Sequence, residues 1–107
     1  MMTLRQIRHF IAVAETGSIS AAAQAVYISQ STLTLAIQQL EQEIGVNLFN
    51  RHAKGMTLTH QGHQFLRQAH LILATVDNAK RSLQQSTDQV AGQLTIGVTS
   101  LVAGYYL

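Results

Sequence analysis

Within residues 18–50, the small-residue run Ala21-Ala22-Ala23-Gln24-Ala25 is followed, after only a few residues, by a second helical period that stops at Gly45. A first helix built almost wholly of alanine lets its neighbour cross at close range, and so short a turn forces the second helix outward. That combination predicts a helix-turn-helix, and in a small chain such a projected helix most often serves the DNA major groove.

The rest of the chain limits what this unit can belong to. With 107 residues, 47% hydrophobic and 11% charged, there is enough apolar surface for one compact domain and an appendage. The chain has no cysteine, which removes disulfides and thiolate metal sites and points to the reducing cytoplasm. Arg5, Arg8 and His9 precede a moderately apolar stretch broken by Glu15 and Gly17, a pattern of neither a secretory signal nor a membrane span. Seven Lys and Arg against five Asp and Glu leave a formal charge of +2, few phosphate neutralisers per copy. Two copies acting together would double that number, and five histidines could add charge below neutral pH.

Capping residues divide the chain into elements. Thr3 with Gln6 forms a capping box ahead of Leu4, Ile7, Phe10, Ile11 and Ala14, a helical period ending at Gly17. Ser18 caps a second helix over residues 19–26, Tyr27 and Ile28 make the turn, and Ser29 caps a third. On that third helix Leu33, Ile37, Leu40 and Ile44 share one face, with Ala36 beside them. Gln30, Ser31, Thr34, Gln38, Gln39 and Glu41 occupy the rest, an almost uncharged polar face. Residues 51–55 then read as a small basic turn, and the alternation Met56-Thr57-Leu58 completes a two-stranded wing.

From Thr59 the pattern changes. A proline-free helix is expected from about residue 60 to about residue 89, longer than a globular-domain average. Phe65, Ala69, Ile72, Val76, Ala79 and Leu83 are spaced alternately by four and three, a heptad seam that calls for a partner helix. Leu66 and Leu73 form a second line, wide enough to seat the helix on its own domain and on another subunit at once. Ala91-Gly92 ends the helical pattern, and residues 93–98 alternate as a strand does. Only nine residues follow, so residues 91–107 read as the start of a second domain that is not included.

Three blocks now stand in order: Ser29-Gln30-Ser31-Thr32-Leu33-Thr34, then Leu40-Glu41-Gln42-Glu43-Ile44-Gly45-Val46-Asn47-Leu48-Phe49-Asn50-Arg51, then Leu58-Thr59-His60-Gln61-Gly62. Preceded by helix one and the Ser18 to Val26 helix, and followed by Gly92-Gln93-Leu94-Thr95-Ile96-Gly97, they resemble the LysR-type transcriptional regulators in a match that extends over the whole chain. The resemblance implies a mainly α fold, a winged helix-turn-helix over 1–58, a linker helix over 59–90 that dimerises antiparallel, and an effector-binding domain beginning at 91–107. It further implies a homotetramer for the full-length protein on double-stranded promoter DNA, and a small-molecule inducer that binds only the missing domain.

Residue roles follow from matched positions. Gln30 stands where the family places a base-reading glutamine, whose amide suits adenine N6 and N7. Ser31 and Thr34 match positions reaching base edges or phosphates, and Ser29 divides between capping and contact. Arg51 matches a phosphate-pairing arginine, with His52 and Lys54 in the wing near the minor groove. Leu35 replaces a common arginine and Gln38 another frequently basic residue, so readout should favour A·T pairs through the thymine methyl, with a shallow salt dependence. His60 and Gln61 also depart from the family's usual proline and alanine or glutamate, and both still permit a helix start.

Other chemistries find no support in these residues. His9, His63 and His70 lie on different helices or seven residues apart and lack a carboxylate cluster, so no metal and no cofactor is expected. The acids at 15, 41, 43, 77 and 88 are scattered and helix-borne, which argues against an enzyme. The rival reading is a winged-helix protein-interaction module that uses the coiled coil for assembly and has no DNA target.

Overall fold

A computed structural model of the chain describes residues 1–92, with side-chain burial through residue 85. Four helices and one hairpin follow in the order α1 (Leu4–Thr16), α2 (Ile19–Val26), α3 (Gln30–Ile44), β1 (Phe49–His52), β2 (Gly55–Leu58) and α4 (His60–Gly92). The mainly helical winged architecture expected from the caps is the one observed. Residues Met1–Leu73 form one compact unit, and Ala74–Leu107 form a second whose described part is the remainder of α4.

Each helix begins where a side-chain oxygen can take an orphan backbone N–H. The Thr3 hydroxyl accepts from the Gln6 amide while the Gln6 side chain accepts from Thr3 N, closing the capping box. Ser18 caps α2 through Ala21 N, and Ser29 caps α3 through Thr32 N, both at 3.1 Å. Gly17 and Gly45 end α1 and α3 in the left-handed region, at φ 70° and 90°. Thr59 accepts from Gly62 N at 3.0 Å at the start of α4.

One helix end departs from the glycine rule. Tyr27 closes α2 at φ 61°, a conformation that costs a bulky L-residue about 1 kcal/mol, and its side chain is 93% exposed. Exposure means little burial is lost on replacement. Tyr27→Asn is therefore expected to raise the urea midpoint by the equivalent of about 0.5–1 kcal/mol, since asparagine tolerates this backbone. An unchanged or lowered midpoint would show that Tyr27 makes a stabilising contact that outweighs the backbone strain.

The core is centred on Phe10, fully buried, with Phe49 from β1 at 5.3 Å between ring centroids and Phe65 from α4 at 4.8 Å, nearly edge-on. Around it close Ile7 and Val13 of α1, Ala22 and Ala23 of α2, and Leu33, Ile37 and Leu40 of α3. Of the four α2 alanines only Ala22 and Ala23 are buried; these two let α1 and α3 approach, while Ala21 and Ala25 face solvent.

The long helix corrects two expectations. It runs through Ala91 and Gly92 instead of stopping near 89; alanine is the best helix former and a terminal glycine costs at most about 1 kcal/mol there. Its heptad seam is not a single free surface either. Ala69, expected to face a partner helix, is fully buried in the core of its own domain, and Phe65, Leu66, Ile72 and Leu73 are half-buried against that core. The cause is the helix start: Thr59 is tied to Leu48 and Asn47 of the domain, which lays the first turns of α4 over Phe10. Further along, Val76 is half-buried, and Ala79 and Leu83 are exposed. The strand expected over residues 93–98, with the rest of 91–107 beyond Gly92, lies outside the described residues.

Candidate nucleic-acid interface

Helical geometry sorts α3 into two faces. At about 100° per residue, Gln30, Ser31, Thr34, Leu35 and Gln38 fall within an arc of about 140°, while Leu33, Ile37, Leu40 and Ile44 fall in a separate arc of about 60° that begins about 20° beyond Gln30. Burial agrees: Gln30, Ser31 and Gln38 are exposed, Thr34 is half-buried and Leu35 is 53% exposed. Five of the expected reading residues thus share one outward face, and none of them carries a charge.

Ser29 is more committed than the rest. Its hydroxyl accepts from Thr32 N, donates to Thr32 Oγ1 at 2.7 Å and lies 3.3 Å from Ser31 Oγ. Capping occupies it, and only a contact compatible with that cap remains open to it.

The positive charge comes from the hairpin. The register pairs Phe49 with Leu58, Asn50 with Thr57, Arg51 with Met56 and His52 with Gly55, leaving Ala53 and Lys54 as the two-residue turn. Arg51 and His52, grouped with the turn in the sequence reading, therefore sit on β1; pairing with Met56 and Gly55 extends the strand that far. Lys54 is exposed at the tip, and His52 shares a 2.9 Å hydrogen bond with Thr57 Oγ1 across the hairpin. His9 contributes no cation to match: burial first, and the neighbouring Arg5 second, hold its imidazole below the usual histidine value. His70 is placed beside Glu15, at 3.7 Å on the surface.

One residue that organises this surface was read from sequence only as part of a polar face. Glu41 Oε2 accepts hydrogen bonds from Leu48 N at 2.8 Å and Phe49 N at 3.2 Å, and its Oε1 lies 3.9 Å from Arg51 Nη2. The carboxylate thus fastens the entry of β1 to α3, with the guanidinium of Arg51 nearby on the wing strand. The sequence carried no local signal for this role, since it depends on Leu48 and Phe49 returning to α3 after Gly45.

The comparisons with known proteins agree with this geometry. Residues 4–63 match the family described as bacterial regulatory helix-turn-helix proteins of the lysR family. The transcriptional regulator TfdT of Cupriavidus pinatubonensis is 43% identical over 95 residues, 89% of this chain and 42% of TfdT. BudR of Klebsiella aerogenes is 40% identical over 99 residues, 92% of this chain and 69% of BudR. Among solved structures, the CbnR DNA-binding domain in complex with DNA superposes with a TM-score of 0.77 at 38% identity, covering 80% of this chain and 99% of that one. The BenM DNA-binding domain on benA site 1 DNA gives 0.76 at 36% identity, covering 78% and 98%. The chain spans about two fifths of the length of TfdT. With the family match extending over more than half of its residues, and with the same winged fold, this chain belongs to the lysR family of bacterial regulatory helix-turn-helix proteins.

Proposed function

We propose that this chain is the DNA-reading part of a transcriptional regulator, with α3 in the major groove and the wing on the phosphate backbone and minor groove. The observation that carries the reading is the outward face of α3, where Gln30, Ser31, Thr34, Leu35 and Gln38 stand exposed or half-exposed together, with Arg51 and Lys54 exposed on the hairpin that follows. Gln30 offers the donor–acceptor pair that adenine N6 and N7 require, and Leu35 offers a methyl-sized contact to thymine. Arg51 and Lys54, with His52 beside them in the wing, hold phosphates, which fixes register without reading sequence. The DNA-bound CbnR and BenM domains support this assignment.

In the same reading, residues 1–58 bind DNA, 59–90 link and pair, and 91–107 open an effector-binding domain that carries the inducer site. Pairing runs through the part of α4 that the domain core leaves exposed, Ala79 and Leu83, with Val76 and the outer edges of Phe65, Leu66, Ile72 and Leu73. A homodimer spaces two recognition helices, and the full-length protein assembles as a tetramer on its promoter. Such a protein works in the cytoplasm, and among the described residues no helix is long and apolar enough to cross a membrane.

Selection of binding duplexes from a random pool tests the reading. The expected outcome is enrichment of paired A·T-rich half-sites about one helical turn or a multiple apart; recovery of no preferred sequence would favour a protein-interaction module. Leu35→Arg then checks the chemistry of the reading face. It should steepen the fall of log K against log salt by up to about 0.9 per added phosphate contact and move preference toward G. An unchanged slope together with an unchanged preference would remove Leu35 from the interface.

A further inference from the structure

The wing is anchored at both ends, and the anchor at its tip uses two glycines. Gly55, the first residue of β2, has φ 136°, a backbone region open to glycine and strained for any L side chain. A Cβ there would fall on the carbonyl oxygen of Gly17. That same carbonyl accepts a hydrogen bond from Met56 N at 3.0 Å, and the Met56 side chain is 8% exposed in the core. Gly17 in turn is the left-handed cap of α1, immediately before the Ser18 cap of α2. The hairpin tip is therefore referenced to the α1–α2 junction, while Glu41 references its entry to α3.

We propose that the Gly17–Gly55 contact is a positioning device for DNA binding, setting Lys54 at a fixed distance from the reading face of α3. This rests on the DNA-binding reading above. Lys54 is the second residue of the two-residue turn and is bonded directly to Gly55, which closes on the Gly17 carbonyl that also receives Met56 N. A cation held at the right distance engages its phosphate as an intramolecular partner once α3 is docked, and a cation on a freed tip must be ordered at each binding event. Lys54 would then matter to affinity only while the clasp is closed.

A double-mutant cycle separates positioning from simple stability. Lys54→Ala, Gly55→Ala and the pair are measured on the selected duplex at several salt concentrations, at temperatures where circular dichroism shows each variant folded. Lys54→Ala is expected to weaken binding about three- to tenfold and to reduce the salt slope by about 1. Gly55→Ala should reproduce both changes, and the double variant should be no weaker than Gly55→Ala alone. If Gly55→Ala does not fold, insertion of two glycines between Lys54 and Gly55 separates the cation from the clasped glycine while leaving the Gly17 contact closed, and the same non-additivity is expected. Additive losses, with Lys54 keeping its full effect on the loosened tip, would overturn the positioning role while leaving the wing contact standing. No effect of Lys54→Ala in the otherwise intact chain would overturn the wing contact, and the proposal with it; absence of any duplex binding would instead reject the DNA-binding reading.

Discussion

Gly62→Ala is expected to destabilise the Met1–Leu73 unit by about 2–4 kcal/mol, although alanine is the better helix former by about 1 kcal/mol. Gly62 is buried in the first turn of α4, and an added Cβ would overlap the backbone carbonyl of Leu48. It would also approach Leu58 Cδ2 at 2.9 Å, but that methyl is the end of a flexible side chain and can yield. The Leu48 carbonyl cannot, because it accepts from Thr59 N at 3.0 Å while Thr59 Oγ1 donates to Asn47 O at 2.7 Å. Relieving the overlap means lifting α4 from the domain and breaking those bonds, which outweighs the gain in helix propensity. Gly45→Ala supplies the contrast. Its Cβ would meet nothing within 4 Å, so only the strain of φ 90° remains, and the expected loss is about 1 kcal/mol. Urea denaturation of the two variants checks this ordering; equal losses would show that the Leu48 contact is not the cause.

Glu41→Ala should be comparably damaging, at about 2–4 kcal/mol, for an electrostatic reason. The carboxylate is the acceptor for two backbone amides, Leu48 N and Phe49 N, where the chain turns from α3 into the wing. Its side chain is 12% exposed, so water replaces it poorly, and each orphaned amide costs about 1–3 kcal/mol. The contact to Arg51 adds little to this sum, since the pair is 3.9 Å long and the arginine is 46% exposed. Glu41→Gln keeps an acceptor oxygen without the charge and should lose about half as much. Chemical denaturation of both variants gives the comparison. If glutamine costs as much as alanine, the negative charge and its pairing with Arg51 dominate; if neither costs anything, the two amides are satisfied elsewhere.

Features carried by local chemistry were legible in the sequence. Thr3, Ser18 and Ser29 start helices because a hydroxyl one residue ahead of an apolar period has few other uses, and Gly17 and Gly45 stop them because only glycine enters the left-handed region cheaply. The two faces of α3 follow from its 3.6-residue period, so the exposed set around Gln30 could be read in advance. What escaped depends on distant segments meeting. Ala69 obeys a heptad as well as any coiled-coil residue, and only the docking of α4 over Phe10 assigns it to the core of its own domain. Glu41 differs in no local respect from a solvated helix residue until Leu48 and Phe49 fold back onto it. Gly17 and Gly55 read as separate turn glycines, and their mutual contact exists only in the folded unit. Tyr27 is the reverse case, a position where local preference called for glycine and the chain holds a tyrosine.

The central claim is that α3 reads base edges while the wing holds the backbone, and the affinity of Gln30→Ala measures it most directly. On the duplex selected by the intact protein, the substitution should weaken binding about 10- to 100-fold, equivalent to about 1–3 kcal/mol, through loss of a bidentate contact. On an unrelated duplex the affinity, and on both duplexes the salt slope, should stay as in the intact protein, because no phosphate contact has been removed. An equal loss on the two duplexes, or no loss on either, would contradict base reading by Gln30 and with it the division of labour between helix and wing.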